Sequence, residues 1–226
     1  MAPRLTRQQL AQMIDHTLLK PQAGKADIER LCDEAMEHGF YSVCVNGMWV
    51  PWCRERLRSS GVRISAVCGF PLGAASSVVK ACEAEQAVRD GAHEIDMVLP
   101  VGALLDGDED LVRGDIRAVV QAVGDKAAVK VILETGFLNG DQIRLACRLA
   151  AEAGAHYVKT STGFGPGGAT VEHVRLMRAS VPAAMGVKAS GGIRDLAGAL
   201  AMIEAGATRI GTSSGTAIMA QAGEIT

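Results

Sequence analysis

The sequence predicts a single (β/α)8 barrel, preceded by a short helix, on three observations. Short apolar runs alternate with longer amphipathic segments along all 226 residues, the pattern of βαβ units and a parallel sheet. Eight such runs can be counted, and eight strands with intervening helices match a compact (β/α)8 barrel of this length. The competing fold, a doubly wound open sheet, calls for a Gly-rich dinucleotide turn after its first strand, and IDHTLLKP at 14–21 is nothing like one.

In chain order, residues 5–13 read as the leading helix. Strands are expected near 15–17, 42–46, 63–68, 94–99, 128–134, 157–160, 186–189 and 209–211, each a short run rich in β-branched or small apolar residues. Helical patterns lie between them at 25–37, 77–90, 111–123, 141–153 and 170–179. The recurrent endings HGF, SGV, DGA, EAGAH and EAGAT set a glycine just past a helix, where a left-handed residue ends it at little cost.

No Ser/Pro-rich or charged linker divides the chain, so residues 1–226 are expected to form one catalytic domain. A formal net charge of −2 without a basic stripe argues against a nucleic acid partner. No apolar run approaches a membrane span, and MAPRLTRQQL lacks a signal-peptide core, so no membrane partner is expected. Six cysteines without a C-x-x-C pair indicate neither a disulfide framework nor a thiolate zinc site. A reduced, cytoplasmic setting is expected.

Two lysines stand out: Lys159 in HYVKTSTGFG and Lys188 in MGVKASGGIR, each ending a strand and preceding a Gly-rich turn. An ordinary lysine, near pKa ~10.4, is a free amine only about one time in a few thousand at pH 7. Burial beside a second cation lowers that pKa and makes the amine a nucleophile, so the pair points to Schiff-base chemistry on a carbonyl compound. The strand ends also bring Asp15, Thr17, Cys44, Asn46, Asp96 and Glu134 to the mouth of the barrel. Asp96 is a candidate proton-relay carboxylate. Asp15, Thr17, Cys44 and Thr160 are expected to line the pocket, and Lys130 to pair with Glu134, with which it shares a strand face.

Gly191, Gly192 and Arg194 follow the seventh strand, and Gly211, Ser213 and Ser214 the eighth. These turns frequently hold a phosphate in such barrels, on backbone N–H groups and a helix N-terminus. The Gly-rich loop 162–168, with Gly163, is expected to be a flexible rim beside them. The five histidines show no ligand spacing, so no metal is expected; His16 reads as a core histidine.

The motifs IDHTLLKP (14–21), SVCVN (42–46), EIDMVLP (94–100), KVILET (130–135), VKTSTGFG (158–165), GVKASGGIR (186–194) and RIGTSSG (209–215) together resemble the deoxyribose-phosphate aldolase family. The resemblance implies a (β/α)8 barrel and a metal-independent class I aldolase without a cofactor. It implies reversible cleavage of 2-deoxy-D-ribose 5-phosphate to acetaldehyde and D-glyceraldehyde 3-phosphate. By motif, Lys159 is implied to be the Schiff-base lysine, Lys188 the lysine that perturbs it and Asp96 the proton relay; phosphate contacts fall on Gly163, Gly191, Gly192, Ser213 and Ser214, with Gly211 and Arg194 close by. The chain departs from many members at Phe164, where some carry a lysine, at Gly47, and in an ending, AQAGEIT, without the tyrosine implicated in proton transfer. Enamine protonation is therefore expected to rely on water held by Asp96, Lys188 and Thr160 or Ser161, with residues 223–226 dispensable. A homo-oligomer, dimer or tetramer, is expected, with phosphosugar and aldehydes as its small-molecule partners. The rival functions are another Schiff-base phosphosugar aldolase or transaldolase-type barrel, and a non-catalytic phosphosugar-binding barrel.

Overall fold

Every strand in this chain is parallel to both its neighbours, and β1 pairs with β2 on one side and β8 on the other, so the sheet closes on itself. A computed structural model describes residues 5–223. The strands are β1 (Ile14–Leu18), β2 (Ser42–Val45), β3 (Arg63–Cys68), β4 (Glu94–Val98), β5 (Ala128–Ile132), β6 (Tyr157–Lys159), β7 (Gly186–Ser190) and β8 (Arg209–Thr212). The helices are α1 (Arg7–Ala11), α2 (Lys25–His38), α3 (Val50–Leu57), α4 (Ser77–Asp90), α5 (Val101–Leu105), α6 (Glu109–Val123), α7 (Gly140–Glu152), α8 (Val171–Ser180), α9 (Leu196–Glu204) and α10 (Gly215–Gln221). This is the (β/α)8 barrel that the alternation predicts. Among the described residues no helix is long and apolar enough to cross a membrane.

Every expected boundary falls within two residues of the one observed, and the larger differences have physical causes. The leading helix is only Arg7–Ala11, started by a capping box in which Thr6 and Gln9 exchange bonds. The fifth strand stops at Ile132 because Glu134 adopts a left-handed backbone, φ 54°. Helix α3 opens with Pro51 in its first turn, where a missing N–H does no harm; no clear apolar period announces it. Of the tail expected to be dispensable for proton transfer, 223–226, residues 224–226 lie outside the described residues.

The apolar core sits between sheet and helices. Val43, Ile64, Ile95, Val129, Val158, Val187 and Ile210 point outward from the strands to meet Ile28, Ala84, Ile116, Ile143 and Val174 of the helices. The inside of the barrel is different: strand alternation and register place polar groups there in stacked layers. Ser42, Glu94, Tyr157 and Arg209 form the lowest, Asp15, Ser65, Lys130 and Lys188 the next, and Cys44, Asp96, Lys159 and Gly211 the third, towards the carboxyl ends. Thr17, Val67, Ile132 and Ser190 lie above them.

Candidate active site

The site is built upward from the floor of the barrel. There the Arg209 guanidinium lies 3.5 Å from the centre of the Tyr41 ring and 5.4 Å from that of Tyr157. Its Nη1 donates to Asp15 Oδ1 at 2.8 Å and Glu94 Oε2 at 3.0 Å. One layer up, Lys130 Nζ reaches Glu94 at 2.6 Å and Asp96 Oδ1 at 2.7 Å, with Asp15 at 3.7 Å. Lys188 Nζ donates to Asp15 Oδ2 at 2.5 Å and Asp96 Oδ2 at 2.7 Å. Lys159 Nζ donates to the same Asp96 oxygen at 2.8 Å. Gly211 makes this crowding possible: a Cβ there would come within 2.9 Å of Lys188 Cε.

The environment separates the two lysines. Burial pushes the Lys159 amine below its usual pKa; Asp96 opposes this and Lys188 adds to it. Burial also penalises the Lys188 ammonium, but Asp15 and Asp96 together outweigh it and hold its pKa above the ordinary value. Burial pushes the Asp96 carboxyl up, and Lys130, Lys159 and Lys188 overcome that, leaving it well below the usual carboxylate range. The cluster at neutral pH is therefore a fixed carboxylate, a fixed ammonium and, in Lys159, an amine released from its proton more easily than usual. Desolvation is the larger cause of that release and like-charge repulsion the smaller one.

Above Lys159 opens a pocket of about 340 Å³ at the carboxyl end of the barrel. Its wall includes Thr17, Lys159, Thr162, Gly163, Phe164, Gly191, Gly192, Arg194, Gly211 and Ser213. It is large enough for a five-carbon chain with a phosphate. Lys159, only 2% exposed, forms its floor. Gly191, at φ +87°, packs its backbone against the loop 162–168: a Cβ on Gly168 would lie 2.3 Å from the Gly191 carbonyl oxygen. The Glu134 carboxylate ties down the start of that loop by accepting from the Thr162 N–H at 3.2 Å and from the Thr162 hydroxyl.

Several expected placements are corrected. Lys188 and Asp96 are fully buried below the pocket and do not line it. Asp15 lies in the layer beneath Lys159, and Cys44, 0% exposed, lies beside Asp96, where burial pushes its thiol pKa up; neither is pocket lining. Thr160 faces away under the helices, its hydroxyl donating to the Ser190 carbonyl and accepting from the Ser190 N–H. It cannot hold water for the reaction. Ser214 does not line the pocket; it occupies the N-cap position of α10, its N–H bonded to Thr212. Lys130 does pair with interior carboxylates, but with Glu94 and Asp96, because Glu134 has left the strand. The loop 162–168 is fastened at Glu134 and Gly191 rather than standing free. The α9 N-terminus is occupied by Asp195, which caps Gly198, so an anion at the rim relies on loop backbone and cations. Thr17, Gly163, Gly191, Gly192, Arg194, Gly211 and Ser213 are where they were expected.

Sequence reasoning missed Lys20, which joins Arg194 at the rim, and the floor pair Glu94 and Arg209. The signal for Glu94 and Arg209 was present: each shares strand parity with a residue already singled out, Asp96 and Gly211.

A family model described as DeoC/LacD family aldolase matches residues 9–221. The deoxyribose-phosphate aldolase 1 of Bacillus licheniformis is 58% identical over 211 residues, covering 93% of this chain and 95% of that protein. The deoxyribose-phosphate aldolase of Thermococcus gammatolerans is 57% identical over 213 residues, with coverage of 93% and 95%. Among solved structures, the tetrameric deoxyribose phosphate aldolase from Aeropyrum pernix superimposes with a TM-score of 0.89 at 35% identity, over 95% of this chain and 91% of that one.

Proposed function

This chain belongs to the DeoC/LacD aldolase family, and from that premise we propose that it reversibly cleaves 2-deoxy-D-ribose 5-phosphate to acetaldehyde and D-glyceraldehyde 3-phosphate through a Schiff base on Lys159. The observation that carries the reading is the pairing, on one Asp96 oxygen, of a lysine pushed towards its free amine with a lysine held as an ammonium.

Neutral Lys159 attacks C1 of the open-chain sugar. A proton passed up from the Lys188 ammonium lets the C1 hydroxyl leave as water, which gives an iminium and leaves Lys188 a free amine able to accept a proton. The C3 hydroxyl proton leaves to the relay of Asp96 and Lys188, by way of water entering from the pocket. The C2–C3 bond breaks, its electron pair flows into the iminium, and an enamine remains as glyceraldehyde 3-phosphate departs. The relay returns its proton to C2, and water then hydrolyses the iminium to acetaldehyde and free Lys159, with the proton released going back to Lys188. The phosphate sits at the rim on the turns carrying Gly163, Gly191, Gly192 and Ser213, with Arg194 and Lys20 as counter-charges. Binding there orients the chain for reaction at the floor.

The iminium is the electron sink, so the reaction needs no metal, and Asp15, Glu94 and Asp96 are already held by ammonium or guanidinium groups. Chelator should leave turnover unchanged. A cytoplasmic homo-oligomer, dimer or tetramer, completes the reading, supported by the tetrameric relative; small molecules are its partners, without nucleic acid or membrane.

The deciding experiment follows release of glyceraldehyde 3-phosphate from deoxyribose 5-phosphate, with unphosphorylated deoxyribose as comparison. In parallel, acetaldehyde and borohydride are added and the peptides mapped. Cleavage favouring the phosphorylated sugar, with a two-carbon adduct on Lys159, supports the proposal. A binding barrel without chemistry would give neither, and an adduct found only on another lysine removes the assignment.

A further inference from the structure

The fixed charges inside the barrel balance before Lys159 is counted. Three carboxylates, Asp15, Glu94 and Asp96, lie there at 0–2% exposure. Three cations besides Lys159 face them, and each touches at least two: Lys130 touches all three carboxylates, Lys188 touches Asp15 and Asp96, and Arg209 touches Asp15 and Glu94. Lys159 touches one carboxylate, through an oxygen that Lys188 already uses. A proton on Lys159 therefore adds an unmatched charge to an interior shielded from water, where unmatched charge is expensive.

We infer that Arg209, on the barrel floor and out of reach of the pocket, is a positioning residue for the amine: it supplies the third balancing cation, which makes free Lys159 the electroneutral state of the barrel interior. This deepens the aldolase reading and rests on it only for the use made of the free amine. Arg209 is built for the task. Tyr41 and Tyr157 hold its planar guanidinium, and one nitrogen bridges Asp15 on β1 and Glu94 on β4. Its other terminal nitrogen donates to the Tyr157 hydroxyl at 3.4 Å. The remaining charged and polar neighbours are Lys130 on β5, Lys188 on β7, Ser42 on β2, which donates to Asp15, Ser65 on β3, which donates to Asp96, and Arg63, which lies 5.3 Å from the Tyr41 ring centre. From Asp15 the influence passes to Lys188 and from Lys188 through Asp96 to Lys159, two carboxylates away.

The test measures the titration of Lys159 without relying on catalysis. The full-length chain is labelled with acetic anhydride across a pH series, and the Lys159 peptide is quantified by mass spectrometry. Arg209→Met should raise the Lys159 pKa by about one unit, giving about tenfold less free amine at pH 7. Arg209→Lys keeps the charge and should stay close to the parent. Glu94→Gln removes a carboxylate and should move the pKa the other way, down by about one unit. An unmoved pKa in Arg209→Met, or shifts of the same sign in Arg209→Met and Glu94→Gln, overturns the inference. Should Arg209→Met fail to fold, the sign of the Glu94→Gln shift decides. Borohydride trapping with acetaldehyde, run on the parent, tests the aldolase reading separately: its failure there removes Schiff-base catalysis and leaves the charge balance to stand or fall on the labelling.

Discussion

Replacing Lys188 with leucine tests the tuning of Lys159 most directly. Both ammonium groups bond one oxygen of Asp96, at 2.8 and 2.7 Å, which keeps the two nitrogens within about 5.5 Å of each other. At an effective dielectric of 20, two unit charges at about 5 Å repel by about 3 kcal/mol, equivalent to about two pKa units. Lys188→Leu should thus raise the Lys159 pKa by about two units and cut the free amine at pH 7 about a hundredfold. Burial, the larger cause of the lowered pKa, remains in place in the variant, now opposed by the Asp96 carboxylate without help from Lys188. The fold should survive, because Asp15 keeps Arg209 and Lys130, and Asp96 keeps Lys130 and Lys159. Breaking a buried pair sets a ceiling of about 3–5 kcal/mol on the stability loss. The assay is borohydride trapping of acetaldehyde on Lys159 from pH 6 to 10, alongside a thermal melt. If the folded variant traps with the parent's pH dependence, like-charge repulsion is not at work and burial alone sets the amine.

Glu134→Gln keeps the shape of the side chain but removes the charge from its bonds to Thr162, which are worth about 1.5–3 kcal/mol. KM for deoxyribose 5-phosphate should rise about tenfold while trapping at Lys159 persists; an unchanged KM would mean the tie does not shape the pocket. Ser213→Asp puts a carboxylate in the pocket wall and should weaken the phosphorylated substrate tenfold or more, on the order of a single charge repulsion. Ser214→Asp, outside the wall, should do far less, and equal losses would move the phosphate towards α10. The thermal midpoint should fall as pH drops below about 6.5. His16 and His93 are held neutral chiefly by burial, so the unfolded chain binds protons there that the folded chain refuses. Asp15 and Asp96, with depressed pKa values, contribute stability that is intact above about 3.8 and lost only as pH falls through their lower folded values. A His16→Gln/His93→Gln double variant should flatten the slope between pH 6.5 and 5; a slope kept in full assigns it to other groups.

The barrel was legible because its strands carry β-branched runs and its helices end in glycine, both local signals. Lys159 and Lys188 were legible because lysine at a strand end before a Gly-rich turn is chemically odd wherever it occurs. The layering was less so. It needs strand parity carried across all the strands at once, and only that brings Arg209 beneath Asp15, 194 residues away in the chain. Reading Lys130 with Glu134 failed because parity holds only while the strand lasts, and the left-handed backbone at Glu134 ends it early. Ser213 and Ser214 look alike in sequence, yet one turn of backbone sends Ser213 to the pocket and makes Ser214 the cap position of α10. Lys20 went unremarked because a lysine just past a strand is ordinary until a wall stands opposite it.

The closed floor has a kinetic consequence. With Arg209 filling the space between Tyr41 and Tyr157 at one end and Lys159 at the bottom of the pocket that opens at the other, the barrel is a cul-de-sac rather than a channel. Traffic uses one doorway, and the fragment bound to the amine is the one farthest from it. In cleavage, the phosphorylated triose must leave before the two-carbon fragment can follow. In synthesis, the small aldehyde must enter first, and a phosphorylated aldehyde arriving early sits in its path. Excess acceptor should therefore slow carbon–carbon bond formation competitively against the donor, a queue imposed by architecture alone.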